Sequence, residues 1–152
     1  MAHLAEQHYN RVEEGSMSDL QVTQIDHVSV IISDVERSRR FYRDLLGLKE
    51  IPKPRTFDFV VLWFDLGNQQ LHLLHKDRAD TISPRHFALR VKDAGAARAY
   101  FADRGVPVEE TTLIPSADRF FIRDPDGNRI EIIQWLRPYD PARDGAARLD
   151  GE

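Results

Sequence analysis

The middle of this chain repeats itself, and that repetition constrains its fold more than any other feature. An offset of 59 residues places His27 on His86, Asp34 on Asp93, Arg39 on Arg98, Phe41 on Tyr100 and Asp44 on Asp103. The same offset, with no allowance for insertions, places His72 on Glu131. One offset therefore carries matches through a strand-like segment, a helix start, a helix face and a final strand. The relation is an internal duplication, and each half is one supersecondary unit that needs the other to bury its apolar face.

Local pattern gives the order of elements. "IDHVSVIIS" alternates as a strand, and "DVERSRRFYRDLLG" then spaces Val35, Phe41, Tyr42, Leu45 and Leu46 along a helix. Asp34 is placed to cap that helix and Gly47 to stop it. After Pro52 and Pro54, "FDFVVLWFDL" and "QQLHLLH" read as strands joined by a turn at Gly67 and Asn68. The second half repeats the scheme with "RHFALRV", a helix starting at Asp93 and stopping at Gly105, a short strand in "VPVEE", and "RFFIRD" and "NRIEIIQW" flanking the turn "DPDGN".

The expected fold class is α+β, built from two tandem βαβββ modules at about 24–76 and 84–136 within one domain of residues 23–136. Residues 1–22 are expected to form a flexible N-terminal arm. Residues 137–152, rich in Pro, Gly, Asp and Arg, read as a disordered C-terminal tail. The "DPDG" turn is read as purely structural, and the helix arginines Arg37, Arg39, Arg40 and Arg43 as solvated surface.

Composition limits the partners. A chain of 152 residues, 41% hydrophobic and 30% charged, holds one sizeable core. A net charge of −4, with basic residues scattered among acidic ones, predicts neither a nucleic-acid nor a membrane partner. The absence of cysteine excludes disulfides, thiolate metal sites and thiol nucleophiles. With no signal-type apolar segment at the N-terminus, the expected location is cytoplasmic.

Glu131 sits in the apolar run "RIEII", and burying a carboxylate costs several kcal/mol, roughly, unless a cation or strong donors face it. Strand parity shows what shares its situation. Val28, Val30 and Ile32 oppose His27; Phe87, Leu89 and Val91 oppose His86; Leu71 and Leu73 oppose His72; Ile130 and Ile132 oppose Glu131. All four polar residues thus occupy the face not covered by helices, at equivalent places in the duplication. Three imidazoles and one carboxylate suit Zn, Fe, Ni, Co or Mn rather than Ca or Mg, and leave two octahedral positions open for water or substrate. His75 has the opposite parity to His72 and is read as a strand-end residue.

In "IDHVSV", "DVERSRRFYRDLLGL", "WFDLGNQQLHLL", "RHFALRVKD" and "FFIRDPDGNRIEIIQ", from Gln24 to Leu136, the chain resembles the vicinal oxygen chelate superfamily, the glyoxalase, bleomycin-resistance and extradiol dioxygenase fold, as a glyoxalase-like member. The resemblance implies a cupped mixed sheet with helices on its outer face. It implies a divalent transition metal inside the cup, held by the residues matching His27, His72, His86 and Glu131, and a small-molecule substrate chelated there. It further implies a homodimer. Glyoxalase I-like members usually carry Glu where this chain has His72, so Glu131 alone is left as general base for lyase or isomerase chemistry. A ring-cleaving dioxygenase would use His27, His86 and Glu131, and a bleomycin-resistance-like binder would need no metal ligands at all. Arg90, which shares parity with His86, is expected to anchor a substrate carboxylate or phosphate, and Trp63 and Phe121 to supply apolar wall.

Overall fold

The two helix starts form as their sequences predict. The Asp34 carboxylate accepts from the Arg37 N–H at 2.9 Å and the Asp93 carboxylate from the Ala96 N–H at 2.8 Å. Each cap satisfies an amide that the first helical turn leaves unpaired. Gly47 and Gly105, both at φ 70°, end the two helices in a conformation costly for any residue with a Cβ.

The computed structural model describes Leu20 and residues 22–146. Its elements are β1 (His27–Ile32), α1 (Val35–Arg39) continuing as a π-helical segment (Arg40–Leu45), β2 (Lys49–Ile51), β3 (Val61–Asp65), β4 (Gln70–His75), β5 (His86–Arg90), α2 (Ala94–Asp103), β6 (Glu109–Glu110), β7 (Ala117–Arg123), β8 (Arg129–Trp135) and α3 (Pro141–Asp144). They form two four-stranded mixed sheets, ordered β1-β4-β3-β2 and β5-β8-β7-β6. In each, the first strand lies parallel to the last and the rest are antiparallel. The fold is therefore the expected α+β arrangement of two tandem βαβββ modules. The duplication extends to register, since Ser29 pairs with His72 and Ala88 with Glu131. It extends also to the ion pairs from each helix to its neighbouring strand, Arg39 with Glu50 at 3.0 Å and Arg98 with Glu110 at 2.6 Å.

Two strands are shorter than their sequences suggest. Of "FDFVVLWFDL" only Val61–Asp65 pairs, because Phe57 turns to stack on Phe59 and to set its edge against Trp63. Of "VPVEE" only Glu109–Glu110 pairs, Pro107 having no N–H to give to a ladder.

The alternating apolar residues meet in one core drawn from both modules, including Ile32, Tyr42, Phe64, Leu71 and Leu73 from the first and Phe120, Ile122, Ile130 and Ile132 from the second. A polar latch beside this core joins the modules through the turn "DPDGN". The Asp124 carboxylate is buried and accepts from the Tyr42 hydroxyl at 2.7 Å, from the amides of Asp126 and Asn128, and from the Asn128 side chain. Asn128 Nδ2 also donates to the Ile31 carbonyl at 2.8 Å, while Asp126 accepts from Ser33 and pairs with Arg37 at 2.9 Å. The turn is thus more than a hairpin corner, and Arg37 more than solvated surface: both fasten the second module to the end of β1 and the start of α1.

The C-terminal segment differs from its reading as disordered over residues 137–146. It forms α3, capped by Asp140, and Arg137 pairs with Asp144 at 2.6 Å. The composition conceals this because Pro141 at the first helical turn and Asp140 before it are start signals as well as turn residues. Residues 147–152, and the proposed arm apart from Leu20 and Val22, lie outside the described residues. Among the described residues, no helix is long and apolar enough to cross a membrane.

Burial, followed by the nearby Asp124 carboxylate, pushes the Tyr42 hydroxyl well above its ordinary pKa. Below about pH 10 tyrosine is neutral whether folded or unfolded, whereas above it the unfolded chain ionises first. Stability held by Tyr42 is therefore present at neutral pH and is lost as pH rises through the alkaline range. Urea denaturation of Tyr42→Phe at pH 7 is expected to show a loss of about 1–3 kcal/mol, since one donor to a buried carboxylate is removed. The variant should also lose stability less steeply than the parent above pH 10.

Candidate metal-binding site

Because β1 pairs with β4 and β5 with β8 in one shared register, strand alternation delivers His27 and His72 to the face of the first sheet turned away from the core. It delivers His86 and Glu131 to the same face of the second. The four expected ligands occur as two pairs, one on each sheet. Among the described residues, no group of three or more His, Cys, Asp or Glu side chains is gathered as a metal ion would require.

In the first pair the rings of His27 and His72 are stacked, with centroids 4.2 Å apart, and Trp63 stacks on the other side of His72 at 3.8 Å. The cause is register: Trp63, His72 and Ser29 lie side by side across β3, β4 and β1. Burial, aided by the adjacent His27, lowers the pKa of His72 and so favours the neutral imidazole that a metal ligand must be. Gln70 Oε1 accepts from His72 Nε2 at 2.9 Å, and Asp26 accepts from His27 Nδ1 at 2.7 Å. One nitrogen of each ring is tied to a protein acceptor and, among the described residues, the other meets none, as in the outer shell of histidine metal sites.

The second pair is more telling. The Pro84 carbonyl can only accept, so His86 Nδ1 carries the proton of their 2.9 Å bond, and His86 Nε2 faces Glu131 Oε2 at 3.2 Å. A lone pair and a carboxylate oxygen cannot stand so close without a proton or a cation between them. The separation is that of an N–H···O hydrogen bond from His86 Nε2, and the imidazole–carboxylate donor set is one that a divalent transition metal could hold in place of that proton.

Arg119 is the residue that sequence reasoning missed. Its guanidinium meets Glu131 Oε1 at 3.1 Å, with the two side chains 17% and 9% exposed, and it is held in place by the Thr112 carbonyl. The cation facing the buried carboxylate is therefore, in the first instance, an arginine. A signal was available: Arg119 shares parity with Phe121, which pairs directly with Glu131, so it lies on the diagonal across which long side chains meet. Phe121 sets its face toward Arg129 and meets His86 edge-on at 5.0 Å, and Trp63 stacks on His72. Arg90 lies at the far end of β5 from His86 and is exposed. His75 pairs with Ile32 at the strand end and has the parity of the core-facing residues.

Residues 24–132 match the model of the Glyoxalase/Bleomycin resistance protein/Dioxygenase superfamily. Glyoxylase I 4 of Arabidopsis thaliana is 28% identical over 134 residues, covering 80% of this chain and 76% of that protein. A relative from Synechocystis sp. carrying the name "Probable lactoylglutathione lyase" is 29% identical over 132 residues, covering 75% and 97%. Among solved structures, a protein from Bacillus anthracis placed in the glyoxalase family superposes with a TM-score of 0.72 at 30% identity, covering 78% of this chain and 99% of that one.

Removing Arg119 should leave Glu131 buried beside a histidine and without its guanidinium. In chelator-treated protein, Arg119→Gln is expected to lower the free energy of urea unfolding by about 3–5 kcal/mol. Adding Glu131→Gln to that variant should restore most of the loss, which a double-mutant cycle measures directly.

Proposed function

The chain belongs to the glyoxalase/bleomycin resistance protein/dioxygenase superfamily, and from that premise we propose that it is a divalent-metal-dependent enzyme of the glyoxalase type, a lyase or isomerase acting on a small oxygen-chelating substrate. The observation that carries this reading is the facing of His86 Nε2 and Glu131 Oε2 at 3.2 Å with the other nitrogen of His86 already committed to Pro84. The metal is a transition ion of the Zn, Ni, Fe, Co or Mn group, held by His27, His72, His86 and Glu131. When bound it supplies Lewis acidity, stabilising negative charge as it develops on a substrate oxygen.

The remaining roles belong to the chain. Arg119 holds Oε1 of Glu131, so Oε2, once loosened from the cation it would share with His86, is the atom of that carboxylate able to take the proton beside the substrate carbonyl, water on the metal being the alternative base. Asp26, Gln70 and Pro84 fix the three imidazoles by one nitrogen each. Trp63 covers one face of His72 and Phe121 meets His86 edge-on, so the aromatic rings form apolar wall while His27 and His86 stay open to solvent. Since His27 and His72 lie on one sheet and His86 and Glu131 on the other, the complete set assembles in a homodimer, each site taking one pair from one protomer and the other pair from its partner.

Metal analysis of protein purified without chelators, combined with its mass in solution, tests this reading. It predicts a dimer retaining about one equivalent of transition metal per chain. His27→Ala and Glu131→Ala should each weaken retention by at least about tenfold, whereas His75→Ala should not. Less than about a tenth of an equivalent, with no uptake on titration, would overturn the enzyme reading and leave a small-molecule binder. Given 2-oxoaldehydes, acyl thioesters and catechols, the loaded protein should turn over one of the first two; catechol cleavage with dioxygen uptake would contradict lyase or isomerase chemistry.

A further inference from the structure

The duplication is broken beside the site. Gln70 in the first half corresponds to Arg129 in the second, each two residues before the site residue on its strand. Each pairs in register with a first-strand histidine, Gln70 with His27 and Arg129 with His86. Gln70 gives its side-chain carbonyl to His72. Arg129 has no comparable partner: among the described residues no acceptor meets its N–H groups, and its Nε is shut off from solvent without a hydrogen bond.

Its neighbours on that face are neutralised. Arg119 is paired with Glu131, and Arg123 with Glu109 at 2.7 Å. The Arg129 guanidinium is instead laid over the Phe121 ring, 3.6 Å from the centroid. That contact orients the planar fork and restricts its motion before any ligand arrives, which lowers the entropic cost of using it.

A cavity of about 520 Å³ opens beside it; Arg129, His86, Arg85, Ser29, Ser83 and the carboxylate Asp80 supply polar lining, and apolar residues of β1 and β5 line much of the rest. Arg85 is engaged by Asp80 and Ser83. Among the described residues, Arg129 is thus the cation lining this cavity without a counter-ion, the Asp80 carboxylate being paired with Arg85, and it lies next to His86. The volume suits a small organic acid or ester rather than a macromolecule.

We infer that this cavity is an oxyanion subsite in which Arg129 binds a carboxylate or phosphate group. Assigning that group to the substrate of the metal-dependent reaction rests on the proposed function; the binding of the anion does not. A substrate anchored there carries a carboxylate or phosphate group in addition to its reacting carbonyl. Arginine suits the task because its fork takes two oxygens of either group at once.

Calorimetric titration of the full-length, metal-free protein with acetate and, separately, with inorganic phosphate tests the inference. At least one of the two should bind saturably, near one per chain, and the arm that binds more tightly identifies carboxylate or phosphate as the group preferred. Arg129→Gln should weaken that binding by at least tenfold and Arg129→Lys by less, while Arg40→Gln, which removes the same charge from an exposed helix position, should leave it unchanged. Retention of the wild-type thermal transition checks that each variant is folded. Absence of saturable binding of either anion, equal affinity in Arg129→Gln, or an equal loss in Arg40→Gln would overturn the inference. Because no metal is present, failure of the metal reading leaves this result standing, and failure here leaves the metal reading standing.

Discussion

The parallel pairing of the first strand of each module with its last is the constraint on which the rest of the structure depends. Parallel neighbours cannot be joined by a tight turn, so the whole αββ segment between them must cross over and return. The helix is thereby committed to one face of the sheet, where Ile32, Leu71 and Leu73 in one module and Phe87, Ile130 and Ile132 in the other bury against it. The opposite face is left for polar residues. Alternation along two parallel strands in fixed register then places one residue of β1 beside one of β4, and repeats the placement in β5 and β8. The site is a consequence of that pairing performed twice.

Much of this was legible in the sequence, because the duplication compares each residue with its own counterpart. Asp34 with Asp93 and Gly47 with Gly105 marked the helix limits, and the alternation around His72 and Glu131 marked which face each would take. What was hidden depended on contacts between segments far apart in the chain. Nothing local to "DPDGN" says that Asp124 reaches Tyr42 or that Asp126 reaches Arg37, 82 and 89 residues away. Arg119 was hidden for a different reason: its parity was readable, but an arginine on a strand is ordinarily taken for surface until its neighbours across the sheet are known. The segment after Arg137 was misread because residues that start a helix also compose loops.

The halves differ most beside the four candidate ligands. The first keeps an aromatic and imidazole stack of Trp63, His72 and His27, while the second carries Glu131 and a surround of arginines. The latch is likewise one-sided, fastening the second module's last turn to the first module's helix start. A pseudo-symmetric scaffold thus presents two unlike pairs, His27 and His72 beside Trp63 on one sheet, and His86 and Glu131 among arginines on the other. Their separation on two sheets is why the four side chains matched by one offset do not gather among the described residues.

Mixing two double variants tests that account most directly. A chain bearing His27→Ala and His72→Ala lacks the first half-site, and a chain bearing His86→Ala and Glu131→Ala lacks the second, so neither homodimer should hold metal. Co-expressed with different affinity tags and isolated as the mixed dimer, they should regenerate one intact site and retain about one equivalent of transition metal per dimer, half the wild-type content. A mixed dimer as empty as its two parents would show that the half-sites do not meet between protomers and would contradict the account.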